Sequence, residues 1–151
     1  MTVVASPFTG GVVALDDVSD EVFASRTVGD GVAVSPTGAQ VVAPIAGTVA
    51  KAFRGGHGWA IETDDGLQVL VHVGIDTVRL EGDGFTPHAA EGDEVAVGDP
   101  LVGVDWDRLR ELDVDTVSPV VVLSGQTVTV VAGPGEVRAG DPLLEVGTET
   151  A

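Results

Sequence analysis

Short apolar runs, rich in valine and separated by turn residues, recur along most of this chain. Runs of four to eight such residues between Gly, Pro, Asn or Asp are typical of β-strands in sandwiches and barrels. The pattern predicts eleven strands, over residues 11–14, 31–34, 40–43, 47–53, 59–63, 67–73, 94–97, 100–104, 117–123, 127–131 and 142–146.

Two segments have the spacing of helices instead. Residues 105–112 start with a potential capping aspartate and repeat apolar side chains every third position, and residues 20–26 suggest one further helical turn. A faint repeat relates residues 92–101 to 135–143, each a strand, a Gly-Asp-Pro turn and a second strand. No change of composition divides the chain. We therefore predict one domain over residues 1–151, an all-β antiparallel β-sandwich or barrel-sandwich hybrid with one or two short helices.

Charge and composition narrow the possible partners. The 151 residues carry a formal net charge of −17 and include no cysteine. Such a surface repels nucleic acid and anionic lipid and attracts basic proteins, although acidity also simply keeps a protein soluble. Thiol catalysis, disulfides and cysteinyl zinc sites are excluded. No signal peptide and no apolar run of about 18 residues is present, so we expect a cytoplasmic protein without membrane insertion.

The candidate chemistry lies in the segment HGWAIETDDGLQVLVHV, residues 57–73. Its Asp-Asp-Gly predicts a hairpin. A two-residue loop sets Trp59 opposite His72 with His57 diagonal to it, and a four-residue loop sets His57 directly opposite His72. Either even loop puts both imidazoles on one face, with about 5–8 Å between their Cβ atoms. An odd loop is expected to separate them.

Two imidazoles on one apolar face suit metal ligation, usually with a third ligand, or phosphoryl transfer through phosphohistidine. Burial lowers the pKa of His72 and keeps its nucleophilic nitrogen neutral, while the second ring donates to phosphoryl oxygens. Asp76 is either an orienting partner for a ring N–H or a turn residue. We predict no intrinsic metal site, although His57 and His72 are able to capture zinc adventitiously or at an interface.

The segment VHVGIDTV at 71–78, followed by LEGDGF at 80–85, resembles the signature of the glucose-type IIA component of the bacterial phosphoenolpyruvate-dependent sugar phosphotransferase system. Further matches follow in order at 6–10, 22–24, 28–33, 36–38, 42–49, 91–93 and 118–121. The resemblance implies an antiparallel β-sandwich, phosphorylation of His72 at Nε2, and support from His57, fifteen residues upstream. One departure is Gly55, where the family commonly has a threonine whose hydroxyl joins a relay to the supporting histidine. Water, backbone or nothing must replace it.

The resemblance also implies a phosphotransferase component that needs no cofactor. It takes the phosphoryl group from the histidine-containing phosphocarrier protein and passes it to a cysteine of a IIB domain in a IIB/IIC sugar permease. Asp20, Asp76 and Glu81 are expected in an acidic rim for these partners. Arg54 is either a solvated arginine, which is the favoured interpretation, or a residue that helps to neutralise phosphate charge. His88 is interpreted as a surface or packing residue.

Two other functions are open at this point. One is a zinc-dependent hydrolase of a related barrel-sandwich fold, although its usual His-x-His pair is missing after His72. The other is a purely regulatory binding module. The sequence does not indicate which sugar is carried.

Overall fold

The structure, a computed structural model, describes residues 2–133 and 135–150. Its elements are mostly short strands, and the strands of each sheet pair antiparallel. The strands are β1 (Thr2–Ala5), β2 (Gly10–Val13), β3 (Asp30–Pro36), β4 (Gln40–Val42), β5 (Gly47–Ala52), β6 (Gly58–Glu62), β7 (Gln68–His72), β8 (Phe85–Pro87), β9 (Glu94–Val95), β10 (Pro100–Val104), β11 (Ser118–Val122), β12 (Gln126–Val130), β13 (Glu136–Val137) and β14 (Pro142–Thr150). The helices are α1 (Glu21–Ala24) and α2 (Trp106–Glu111), with 3-10 turns at Leu15–Asp17 and Thr77–Leu80.

The predicted all-β sandwich with short helices is confirmed. Each of the eleven predicted strands overlaps an observed one, and both predicted helical segments contain a helix. Three observed strands, β1, β8 and β13, are not among the eleven, because runs of two to four residues carry little pattern. One domain over residues 1–151 stays a prediction. No helix in the described ranges is long and apolar enough to cross a membrane.

Three sheets build the sandwich. The largest has the order β13-β2-β3-β11-β7-β6-β5-β9, and smaller sheets have the orders β1-β14-β12 and β4-β10-β8. Alternation along β7 sends Val69 and Val71 into the main core and Leu70 into a second cluster that includes Phe23 of α1. His72 has the same parity as Leu70. The site therefore lies on the outer face of the large sheet, beside α1.

The faint sequence repeat corresponds to a turn that is built in the same way at 90–93, 96–99 and 138–141. In each, the aspartate carboxylate accepts a hydrogen bond from the N–H three residues earlier, at 2.8–2.9 Å. The aspartate N–H also donates to the carbonyl of that residue, at 2.9–3.1 Å. This local bonding explains why Gly-Asp recurs where one strand stops and the next begins.

Candidate active site

The β6–β7 hairpin has a different register from the predicted ones. Gly58 lies opposite His72, and Glu62 lies opposite Gln68. Thr63 N–H donates to the carbonyl of Leu67 at 2.9 Å, which leaves a three-residue loop at 64–66. Gly66, with φ 90°, closes it as a turn with a glycine bulge. Both predicted even loops are therefore wrong.

The imidazoles nevertheless lie together. The ring centroids of His57 and His72 are 5.6 Å apart, with the planes at 74°. The expectation that an odd loop separates them is wrong because His57 precedes β6 and lies in a bend, where side chains need not alternate. Its carbonyl still accepts from the N–H of Val73 at 2.7 Å, so the backbone stays close to β7. His57 is 6% exposed and His72 is partly buried, so neither residue is fully sealed.

Gly58 makes room for the Phe53 ring, one of two phenylalanine rings that lie beside the imidazoles. A Cβ on Gly58 would lie 2.2 Å from Cδ2 of Phe53, so the Phe53 ring occupies the space that any other side chain would need. Phe53 lies 5.3 Å from the His57 ring, and Phe23 lies 5.2 Å from the His72 ring, between centroids. A glycine directly opposite His72 was the sequence signal for this packing. It could be recognised only with the correct register of β6 and β7.

One hydrogen bond fixes the tautomer of His72. Its Nδ1 lies 2.7 Å from the carbonyl oxygen of Gly74, which only accepts, so Nδ1 carries the proton. In the neutral ring, Nε2 then has a free lone pair. The acceptor is itself anchored, since Gly74 N–H donates to Oγ of Ser118 at 2.9 Å and Thr77 Oγ1 donates to the Val73 carbonyl at 2.6 Å.

Both imidazoles favour the neutral form. Burial lowers the pKa of His72 below its ordinary value of 6.5, and the Gly74 carbonyl and the Asp20 carboxylate oppose this in part. Burial also lowers the pKa of His57, helped by the charge of a protonated His72 and opposed by the carbonyl of Arg54. Near pH 7 each ring therefore has one N–H and one lone pair.

The three acidic residues predicted around the site have different structural roles. Asp76 has φ 59° and precedes the 3-10 turn, and its carboxylate lies 3.6 Å from Nε of Arg79. It is a turn residue, since the Gly74 carbonyl takes the ring N–H. Asp20 accepts from the N–H of Val22 and caps α1, near enough to His72 to affect its pKa. Glu81 is exposed, with φ 52°, at the end of the 3-10 turn.

Gly55 has a backbone that a threonine would not adopt readily. Its φ is 97°, and a Cβ there would lie 3.0 Å from the backbone nitrogen of Gly82. The backbone carbonyl of Arg54 raises the pKa of His57. The Arg54 side chain is exposed, and among the described residues it forms no ion pair. His88 is exposed as well.

Apolar side chains lie exposed on two elements beside the pair. Val22 on α1 is 50% exposed, and Val78 on the 3-10 turn is 60% exposed. Within residues 2–133 and 135–150, no group of three or more His, Cys, Asp or Glu side chains is placed to hold a metal ion.

Known proteins are similar to this chain over most of its length. Residues 2–128 match the family model of the phosphoenolpyruvate-dependent sugar phosphotransferase system, EIIA 1. The chain is 47% identical over 144 residues to the N-acetylglucosamine-specific EIICBA component of Klebsiella pneumoniae, which covers 93% of this chain but only 22% of that protein. It is 40% identical over 119 residues to the glucose-specific EIIA component of Bacillus cereus, covering 79% of this chain and 72% of that one.

A solved structure is similar over its whole length. The glucose permease IIA of Mycoplasma capricolum superposes with a TM-score of 0.90 at 36% identity, covering 95% of this chain and 94% of the other. The family model, the relatives and the solved structure agree with one another and with the family that the sequence resembles. The chain therefore belongs to the glucose-type EIIA family of the phosphoenolpyruvate-dependent sugar phosphotransferase system.

Proposed function

We propose that this chain is a phosphocarrier that accepts a phosphoryl group on Nε2 of His72 and passes it on. The observation that carries the proposal is the 2.7 Å hydrogen bond from His72 Nδ1 to the Gly74 carbonyl. This bond leaves Nε2 as the ring nitrogen with a lone pair. The depressed pKa of His72 keeps that lone pair free at neutral pH.

The transfer balances without any other reactant. The Nε2 lone pair attacks phosphorus, the P–N bond of the donor phosphohistidine breaks, and its electron pair returns to the donor ring. His72 keeps the Nδ1 proton and its bond to Gly74. In the second step a cysteine thiolate of the acceptor attacks phosphorus, a P–S bond forms, and the electron pair of the broken P–N bond returns to Nε2.

His57 supplies the second function of the pair. Its ring, 5.6 Å from His72 between centroids, donates to the phosphoryl oxygens. The negative charge of the phosphoryl group favours the imidazolium form of His57, which has an N–H for these oxygens besides the one directed at the Arg54 carbonyl. Charge builds on these oxygens while phosphorus moves between nucleophiles, and donors that are already in place stabilise it without reorganisation. His57 is therefore a catalytic residue for transfer, while His72 is the residue that is phosphorylated.

The surface around the two rings is complementary to a partner protein whose binding surface is apolar at its centre and basic at its edge. Val22 and Val78 supply exposed apolar area, and Asp20 and Glu81 supply negative charge around it. The donor is the histidine-containing phosphocarrier protein and the acceptor is a IIB domain of a sugar permease. The names of the relatives support a IIB/IIC partner, since several are EIICBA components. The cytoplasm, where phosphoenolpyruvate is made, is the compartment we propose.

Labelling tests the acceptor. We expect wild-type protein incubated with phosphorylated histidine-containing phosphocarrier protein to gain one acid-labile phosphate, which peptide mass mapping places on His72. His72→Gln should lower the labelling rate by at least about 1000-fold, because the nucleophile is gone. His88→Gln is the matched control and should label as wild type. Wild-type labelling of His72→Gln would contradict the assignment.

The other two functions are not favoured. The family assignment disfavours a zinc-dependent hydrolase. Gly74 also stands two residues after His72, where such enzymes usually have a second histidine. A purely regulatory module does not require a nucleophilic nitrogen kept neutral, which this site has.

A further inference from the structure

The segment that follows His72 is fastened along the whole length of α2. Arg79 Nη2 donates to the carbonyls of Leu112 and Asp113, at 3.1 and 3.2 Å, where the helix ends. At the other end of the helix, Asp105 N–H donates to the carbonyl of Gly84 at 2.9 Å. Residues 79–84 therefore have their position set by a helix that carries none of the candidate site residues.

Between these two ends lies a two-pronged ion pair. Arg108 Nε lies 3.1 Å from Oδ1 of Asp83, and Nη2 lies 2.9 Å from Oδ2. The Arg108 guanidinium lowers the pKa of Asp83. Two parallel hydrogen bonds fix orientation as well as distance, which a single contact does not. We call the pair of residues the Arg108–Asp83 fork.

The residue before Asp83 touches the loop of His57. Gly82 and Gly55 have φ of 90° and 97°, and a Cβ added to Gly55 would lie 3.0 Å from Gly82 N and 3.3 Å from Gly82 Cα. The two backbones pack directly on each other, with no side chain between them to absorb a displacement. Gly55 is two residues before His57, so movement of Gly82 reaches the imidazole through a short stretch of chain.

We propose that the Arg108–Asp83 fork is a positioning device for phosphoryl transfer, which holds Gly82 against Gly55 and so sets His57 relative to His72. This inference rests on the proposed function. The His72 ring is held separately, by Gly74 and Ser118. Loss of the fork is therefore expected to impair the step that depends on His57 and to spare the nucleophile.

Four variants test the fork. Arg108→Gln and Asp83→Asn should each slow onward transfer to a IIB domain by about 3- to 10-fold, since small misplacements of catalytic groups are costly and the fork is partly exposed. Arg108→Lys keeps the charge without the two prongs and should give an intermediate rate. Arg110→Gln is the matched control: Arg110 Nη1 pairs with Asp107 at 3.0 Å on the same helix, away from Gly82. It should transfer as wild type.

A double-mutant cycle separates positioning from general stability. If the fork acts through His57, adding Arg108→Gln to His57→Gln should cause no further loss of transfer rate. Imidazole NMR titration of the single variants should show a changed pKa for His57 and an unchanged one for His72, with both unchanged in Arg110→Gln. Thermal denaturation confirms that each variant is folded, and Asp83→Asn and Arg108→Lys carry the test if Arg108→Gln does not fold.

The outcomes distinguish the two proposals. The positioning role is overturned if the losses in the cycle are multiplicative, or if the His57 titration is unchanged in both Arg108→Gln and Asp83→Asn. Neither result affects the assignment of His72 as the phosphorylated residue. A wild-type chain that accepts no phosphate overturns the proposed function and the positioning role together. Non-additive losses together with a selective change at His57 support the fork.

Discussion

The two histidines of the pair are held by different kinds of structure. His72 ends a strand that is paired on both sides, by β6 and β11, and its ring is held by a carbonyl two residues away. His57 lies outside the strand ladder, in a bend whose neighbour Gly55 packs on Gly82. The nucleophile is therefore fixed by regular structure and short-range bonds, and the supporting ring by contacts between distant segments. Changes in remote parts of the fold should reach His57 before they reach His72.

Removal of the His57 ring should give the largest separation between the two steps. We expect His57→Gln to accept phosphate on His72 within a few-fold of the wild-type rate. Onward transfer should fall by about 100-fold or more, because the imidazole N–H beside the phosphoryl oxygens is replaced by the amide of a longer and more flexible side chain. Rapid-quench measurement of both half-reactions checks this. Equal losses in the two steps would show that the two rings do not have separate functions.

Filling the space opposite His72 should damage the pair through packing. A Cβ on Gly58 collides with Phe53, so Gly58→Ala should destabilise the fold by about 1–3 kcal/mol and push Phe53 toward His57. Gly11→Ala is the control, because a Cβ there has nothing within 4 Å. Urea denaturation measures both free energies of unfolding. A Gly58→Ala variant as stable as Gly11→Ala would mean that the ring does not fill this space.

The anchor of Gly74 offers a test on the His72 side. Ser118→Ala removes the acceptor of the buried Gly74 N–H and should cost about 1–3 kcal/mol of stability. Because the Gly74 carbonyl then loses its fixed position, the labelling rate of His72 should fall several-fold, with no change in the His57 titration. Ser25→Ala, an exposed hydroxyl, serves as the control. A selective change at His57 would reverse the expected division between the two sides.

The smallest expected effect is on the pH dependence of stability. The folded-state pKa values of both histidines lie below their unfolded value of 6.5, so the unfolded chain binds more protons in this range. The free energy of unfolding should therefore fall as pH drops below about 6.5, until the folded pKa values are passed. His57→Gln should make this slope shallower, and His88→Gln should leave it unchanged. Denaturant titrations between pH 7.5 and about 5 measure the slope. An identical slope in His57→Gln would contradict a depressed pKa.

The sequence predicted the parts of this site that depend on local pattern. The strands, the hairpin and the proximity of His57 to His72 follow from valine runs, an Asp-Asp-Gly turn and a family signature. The register did not follow, because a three-residue loop and a four-residue loop use the same turn residues. The predicted register was wrong, but the bend at His57 turns its side chain to the same face as His72. The predicted pair was therefore correct although the predicted register was not.

The contacts that position His57 could not be predicted from the sequence, for another physical reason. Asp83 and Arg108 are 25 residues apart, and nothing in their spacing indicates that their side chains meet. The approach of Gly55 to Gly82 depends in the same way on tertiary packing. Asp76, which the sequence left open between two interpretations, became a turn residue because a backbone carbonyl already took the ring N–H. Every residue has a backbone carbonyl, so the sequence does not show which carbonyl accepts a hydrogen bond from the ring.

Phosphoryl transfer as proposed depends above all on the protonation state of His72, which heteronuclear NMR of its ring nitrogens measures. We expect a neutral ring at pH 7 with the proton on Nδ1, and after phosphorylation a P–N bond at Nε2 with the Nδ1 proton retained. A proton on Nε2 in the free protein, or a phosphoryl group on Nδ1, would contradict the proposed transfer.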